Sequence, residues 1–542
     1  MKKNIVPLLI AFMLSVPMVG KAQTSDLGVK NMYSTNLVTN LPIIQIDTRG
    51  QYISDDPKIP ATFKVWDKPG SLNDFSLSPQ YVFTVGIEVR GSSSQTFPKQ
   101  SFGLEFRSNS DNNLDTNVTV FGFPTEEDFV LIANYSDKTL MRNALLYTLS
   151  NKIGRYAPRT QFCELYINND YMGVYLFAEK VKCDNYRVNI SKLEPEEVSG
   201  PDLTGGYILK IDKNTGGGDG WISPFPPLSN NSGQQLFIQY HYPDYEDINE
   251  SQENYIRGYV TKFENALAYL PFSDTVSGYR AYMDVESAVD YFILQEIAKN
   301  IDSYRLSTFF YKQSDQKGGK LHFGPIWDYD LALKNANYYN GEAYWGWIYE
   351  FPYPDDWFQP PFWWPKMLSD PYFQQVLKCK WSAYRQNLLS TQNILHMVDS
   401  IQDDLSTAQT RNFVRWPILS EWVWPNPQVM GSYNAEVEVL RNFIDDRLAW
   451  LDINMPGKCT TPVASIERSF DIRLNFAENQ IVCNFQDHAA RRIELIDITG
   501  KIISSVESQS AETGISIQGL PPMVYIVRVQ DPTGVVSRKI VW

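Results

Sequence analysis

The chain has 542 residues, of which 43% are hydrophobic, 20% charged and 14% aromatic, a content that supports a sizeable core and excludes a disordered polymer. At roughly 100–200 residues per domain, this length predicts two to four domains, or one large domain with a small one. A formal charge of −14 argues against general nucleic-acid binding, which needs a basic face. Four dispersed histidines, with no His-x-x-x-His or Cys-x-x-Cys pair, leave zinc chemistry little to stand on.

Lys2 and Lys3, a mostly apolar run from Ile5 to Val19 and then Gly20-Lys21-Ala22 read as a secretory signal peptide cleaved after Ala22. The run falls short of the ~20 residues that span a bilayer. Cleavage removes three lysines and no acid, moving the charge from −14 to −17. No transmembrane segment is expected in the mature chain, which is read as exported through the periplasm to the medium or the cell surface. Five cysteines (Cys163, Cys183, Cys379, Cys459, Cys483) are no disulfide framework, although an oxidising compartment permits one or two bridges whose pairing spacing does not reveal.

Residues 23–40 read as a polar leader. Strands are predicted at 41–47, 83–90 and 101–107, with the turn Gly91-Ser-Ser-Ser-Gln-Thr96 between the last two. A helix is predicted over 137–152, opened by Ser136/Asp137, and a hairpin over 164–168 and 172–178. From residue 285 the period turns helical to 300. Short strands at 304–312 and 320–325 lead into Trp327-Asp328-Tyr329-Asp330, and helices resume at 371–389, 394–409 and 435–454. Ten of the fourteen tryptophans lie between Trp327 and Trp424, which is either a sugar-stacking surface or the packing of a Pro-rich insertion. Residues 456–466 read as a linker, and 467–542 as a small all-β module of short alternating strands.

Three places hold polar residues in patterns that packing alone does not demand. Arg90-Gly-Ser-Ser-Ser-Gln-Thr-Phe-Pro-Lys99 offers backbone N–H groups and a lysine to phosphate, or is simply a hairpin. In Asn300-Ile-Asp302-Ser-Tyr-Arg305 a carboxylate at the end of an apolar helix is able to accept a hydroxyl proton, or to end the helix in solvent. In Trp327-Asp328-Tyr329-Asp330 two carboxylates at i and i+2 suit Mg²⁺ or Mn²⁺. An acidic pair in an apolar stretch is costly to bury without a cation.

In this order the pieces resemble the CotH kinase family. The matching stretches are Arg90-Gly-Ser with Phe-Pro-Lys-Gln-Ser-Phe102, Ala133–Asn143, Tyr166–Tyr175 with Glu179-Lys180, Gly205-Gly-Tyr-Ile-Leu-Lys210, and Gly324–Asp330. The resemblance spans about residues 41–455. It implies an α+β, atypical protein-kinase-like two-lobe fold that transfers the ATP γ-phosphoryl group to Ser or Thr of exported proteins, cationic ones suiting the acidic surface. It makes Asp302 the catalytic carboxylate, and Asp328 and Asp330, with Ser307, the metal ligands. Lys99, Arg90, Ser92, Arg142, Glu179 and Val181 are expected to hold ATP. Ser307 stands where family members commonly carry a metal-ligating Asn, and the helix over 137–152 has no Glu for Lys99. These departures keep a rival open, a catalytically inactive kinase-like scaffold that binds surface glycans or proteins. Paired carboxylates make a glycoside hydrolase a distant third.

Residues 467–542 resemble the C-terminal sorting domain of type IX secretion substrates in Bacteroidetes, through Ile493–Lys501, Leu520–Val529 and Arg538-Lys539. That implies a β-sandwich module and the outer-membrane secretion machinery as a partner.

Overall fold

The computed structural model describes residues 37–541 except 109–113, 215–217, 270, 460–470, 476–478, 486–490, 498–500, 511, 522–523 and 532–533. The stretch read as a signal peptide, residues 23–36 of the leader and most of the stretch read as a linker lie outside the described residues. Chain contacts define two units: Leu368–Asn387 with the chain from Met455 onward, and the rest up to Asn454.

The first unit begins within the stretch read as leader. Leu37 is buried, and Val38–Thr39 pair with Asn73–Asp74. Seven strands follow: β1 (Ile43–Asp47), β2 (Ile59–Trp66), β3 (Tyr81–Arg90), β4 (Ser101–Arg107), β5 (Asp128–Ile132), β6 (Thr160–Ile167) and β7 (Asp170–Glu179). They close into a barrel in the order β1-β2-β3-β4-β5-β7-β6. Parallel pairing of β1 with β6, starting at Ile43 opposite Glu164, completes the ring and removes the exposed edges. Phe63, Phe102, Phe106, Phe129 and Phe177 belong to its core, with Phe63 meeting Phe106 edge-on at 5.1 Å.

Helix α1 (Arg142–Lys152) lies on the connection from β5 to β6. It starts five residues later than its periodicity suggests. The Asp137 carboxylate accepts the Thr139 and Arg142 N–H groups and organises a turn ahead of the helix rather than a cap on residue 137.

A second sheet of β8 (Tyr207–Ile211), β9 (Gly220–Ile222), β10 (Phe237–Tyr242), β11 (Thr308–Lys312) and β12 (Leu321–Phe323) is antiparallel in the order β9-β10-β8-β11-β12. Helices α2 (Glu250–Ala268), α3 (Val285–Ala298), α4 (Trp363–Leu368), α6 (Thr391–Asp404), α7 (Ala408–Arg415) and α8 (Tyr433–Asn454) accompany it, while α5 (Pro371–Gln386) belongs to the other unit. An Asn249–Gln252 capping box starts α2, and Asp284 caps α3 by accepting the Ser287 N–H. The strand predicted from 304 begins only at Thr308, because Tyr304 (φ 69°) and Ser307 (φ 47°) turn the chain first. Trp363 and Trp364 are fully buried whereas Trp345 and Trp357 are exposed, so the tryptophan cluster divides between core and surface.

In the second unit, Asp471–Asn475, Gln480–Asn484 and Glu512–Ser516 form one sheet. Ile502–Ser508, Arg491–Asp497, Val524–Asp531 and Gly534–Val541 form another. Ile481, Ile515, Ile493, Leu495 and Val527 from both sheets share one core, which makes a small sandwich. A Cys379–Cys459 disulfide ties α5 to the chain ahead of it. The molecule is thus mixed α/β with a C-terminal β module. No helix among the described residues is long and apolar enough to cross a membrane.

Candidate functional site

The acidic motif sits where β12 ends, and α1 holds it there. The Tyr147 hydroxyl accepts the Asp328 N–H at 3.1 Å, and Asn143 Oδ1 accepts the Tyr329 N–H at 2.7 Å. Asn300 Nδ2 donates to Asp328 O at 3.0 Å, and Asn335 Nδ2 to Asp330 O at 2.7 Å. These bonds hold Asp328 at φ 66°, an uncommon conformation for a residue with a side chain. Asp302 comes from the tight turn between α3 and β11, where Arg305 Nη2 donates to its Oδ1 at 3.0 Å.

One cavity of about 690 Å³ brings these carboxylates together. Asp302, Ser307, Asp328 and Asp330 line it from one side, and Arg90 and Ser92 from the end of β3 and the loop after it. A second cavity of about 980 Å³ adjoins the first, Arg90, Lys180, Lys210, Asp212 and Trp327 lining both. Val181, Phe309 and His241 line this second space. Gly91 is required at the mouth of the loop: its φ is 114°, and a Cβ there would meet Ser94 Oγ at 2.1 Å.

The charges are unbalanced in a way that suits a cationic guest. The Asp328 carboxylate opens to the cavity, yet the protein packed around it, with Asp302 and then Asp212 repelling it against the pull of Arg90, raises its pKa to about 6. Burial, then Asp328 and Asp302, push Asp330 well above the ordinary carboxylate range. Burial also raises Asp302, opposed by Arg305. A bound divalent ion would relieve this repulsion, and an all-oxygen donor set fits Mg²⁺ or Mn²⁺. Arg90 lies over the Trp327 ring at 5.6 Å, and its buried Nη1 has no hydrogen-bond partner in the protein. An anion at the junction of the cavities would supply one.

Three of the expected nucleotide ligands lie elsewhere. Lys99 does not line either cavity; it is 2% exposed, and its Nζ donates to Val174 O at 2.5 Å and Asn412 Oδ1 at 2.9 Å beside the Tyr175 ring. Burial pulls its ammonium down to about 7, and its bonds tie β7 to α7. Glu179 is fully buried against Arg159 and Arg187, so only Lys180 and Val181 of that segment reach the cleft. Arg142 pairs with Asp137 and donates to Ala332 O and Leu333 O, which makes it a brace for the chain beyond Asp330.

Lys180 and Lys210, which sequence reading places only within the matching stretches and gives no role, also line the cleft, as do Asp212 and Lys213. Lysine and aspartate at the end of the apolar run Tyr207-Ile-Leu-Lys-Ile-Asp212 are the signal that pointed there. Lys180 pairs with Asp128 of β5 at 3.3 Å. Glu126, Glu127 and Asp128 place their carboxylates within 4.8 Å of one another. Lys182 bridges all three at 2.6–3.0 Å, with Lys180 on Asp128 and Arg187 on Glu126 besides.

A family model described as CotH kinase protein matches residues 87–451, and one described as secretion system C-terminal sorting domain matches residues 475–542. Inner spore coat protein H of Bacillus subtilis (strain 168) is 28% identical over 162 residues, which cover 29% of this chain and 38% of that protein. The match therefore spans well under two thirds of that relative's length.

Proposed function

The chain belongs to the CotH kinase family, and from that premise we propose that it is an exported protein kinase acting on Ser or Thr of secreted or surface proteins. The observation that carries this reading is the convergence of Arg90, Lys180 and Lys210 with Asp212, Asp302, Asp328 and Asp330 around one cavity. The barrel and α1 act as the lobe over the nucleotide, and the second sheet with its helices acts as the lobe beneath it. The base of ATP lies beside Val181 and Phe309. The cationic side chains shared by the two cavities face the phosphates, with Lys180 and Lys210 taking the part expected of Lys99.

Asp328 and Asp330, with Ser307 near them, would hold Mg²⁺ or Mn²⁺, which when bound neutralises phosphate charge. Asp302 accepts the acceptor hydroxyl's proton as that oxygen bonds to the γ-phosphorus and the bond to the β-phosphate oxygen breaks, releasing ADP. Acceptors with basic flanks suit a mature chain of net charge −17.

The sorting module marks the chain for the secretion machinery. With a signal peptide cleaved after Ala22, the protein would cross the periplasm and reach the cell surface. A second reading, a scaffold that binds glycans, draws on exposed Trp345 and Trp357. The two separate on a thermal-shift titration. ATP with Mn²⁺ raises the melting temperature of a nucleotide-binding form by mass action. No shift at millimolar ATP, with a shift on adding cell-wall glycans, would favour the scaffold.

A further inference from the structure

Asp302 is bonded by a side chain most of whose other contacts lie in the aromatic-rich insertion between β12 and α4, residues 324–362. Arg305 is 4% exposed, and its donors are spread over four acceptors. Nε bonds Ile301 O at 2.9 Å, Nη1 bonds Asp356 Oδ1 and Phe358 O at 3.1 Å each, and Nη2 bonds Asp302 Oδ1 at 3.0 Å. The guanidinium also lies over Phe351 at 4.6 Å and Tyr339 at 5.2 Å. Asp356 is fixed in turn, its Oδ2 by the Tyr339 hydroxyl and its Oδ1 by the Phe358 N–H at 2.8 Å. Tyr338, next in sequence, stacks on Trp424 of the cavity rim at 5.9 Å and 15°.

We propose that the insertion containing Tyr339, Phe351 and Asp356 is a positioning device, and that Arg305 transmits its rigidity to the Asp302 carboxylate. The proposal rests on the kinase reading of the cleft. A carboxylate that takes a proton from an attacking hydroxyl must be held in a narrow range of orientations, and displacement by about 1 Å costs on the order of 100-fold in rate. A ring-stacked arginine whose planar fork is bonded on both arms resists such displacement where a lysine would not. Packing alone would be served by an Arg305 that met only backbone carbonyls. Here one arm is committed to the reacting carboxylate and the other to a second carboxylate that the insertion supplies.

The test uses the full mature chain, with Mn²⁺ and γ-labelled ATP, and reads transfer to the protein itself and to myelin basic protein. Asp356→Asn and Arg305→Lys are expected to lower kcat by about 10- to 100-fold while leaving KM for ATP within about twofold. Tyr339→Phe, which removes one of the bonds on Asp356, should lose only a few-fold. Methylguanidinium should restore part of the rate to Arg305→Ala and none to Asp302→Ala. Unchanged kcat in Asp356→Asn and Arg305→Lys, with an active wild type, overturns the positioning role. So does a rise in KM for ATP that matches the fall in kcat, since that is the mark of general loss of structure. A wild type that transfers no label at all removes the kinase reading and this inference with it.

Discussion

Glu264 is a buried carboxyl on α2 bonded by neutral donors, Ser223 Oγ at 2.8 Å and Trp363 Nε1 at 3.1 Å. Burial raises its pKa from 4.5 to about 7. Between those values the folded state binds a proton that the unfolded state has released, so stability falls as pH rises through this window, by up to roughly 1.4 kcal/mol per unit. Glu264→Gln keeps an acceptor for both donors and should flatten that slope, which urea melts of the two proteins from pH 4.5 to 7.5 would read. At Ser307, φ is 47°, a conformation in which Asn is favoured over Ser. Ser307→Asn should therefore fold without strain and, with an amide oxygen facing the cavity, tighten Mn²⁺-dependent ATP binding. In calorimetric titrations of ATP with Mn²⁺, which read the Ser307→Asn effect as well, Asp328→Ala should abolish binding and Asp330→Ala weaken it.

The residue scale is also where sequence reading was least secure. Asp302, Asp328, Asp330, Arg90 and Ser92 all border the cleft, because each stands at the end of an element whose period is visible in the chain. Lys99 looked equally well placed after a Gly/Ser-rich turn. Its direction is set by Val174 and Asn412, which are 75 and 313 residues away, and no local pattern encodes a long-range choice of that kind.

At the scale of elements, α1 is the part that fixes the acidic motif. Tyr147 and Asn143 together accept two successive N–H groups of that motif. Tyr147→Phe keeps the ring that stacks on Trp327 at 6.1 Å but leaves the Asp328 N–H without its acceptor. We predict a loss of about 1–3 kcal/mol of stability, read by chemical denaturation, and weaker nucleotide binding as Asp328 loosens. Asn143→Ala should cost a similar amount.

Strands β3 and β4 and the hairpin β6–β7 were readable because alternation and turn residues agree there. β2 and β5 were not. The Pro and Lys in β2 blur its alternation, and β5 is a five-residue run between acidic and polar neighbours. Missing both hid the barrel, since a ring is recognisable only when every strand is counted. The strand expected from residue 304 shortened for a different reason, backbone conformations that β-propensity does not report.

For the molecule as a whole, the division into two units has a covalent component. Cys379 and Cys459 are joined, and Cys163, Cys183 and Cys483 are free. Denatured but unreduced protein should accordingly react with three equivalents of maleimide, rising to five after reduction. Removing the bridge, which closes a loop of 80 residues, should cost about 2–5 kcal/mol of stability in the second unit. Sequence reading located the β module from its short alternating strands and turn residues, whereas the pairing of these cysteines needed the fold.

The central claim is that the cleft between barrel and second sheet transfers phosphate. Incorporation of label from γ-labelled ATP in the presence of Mn²⁺ tests it most directly, with wild type beside Asp302→Ala and Asp328→Ala. Label entering Ser or Thr with the wild type, and falling to background with both variants, is the predicted result. Equal incorporation by all three proteins, or none by any, would contradict it.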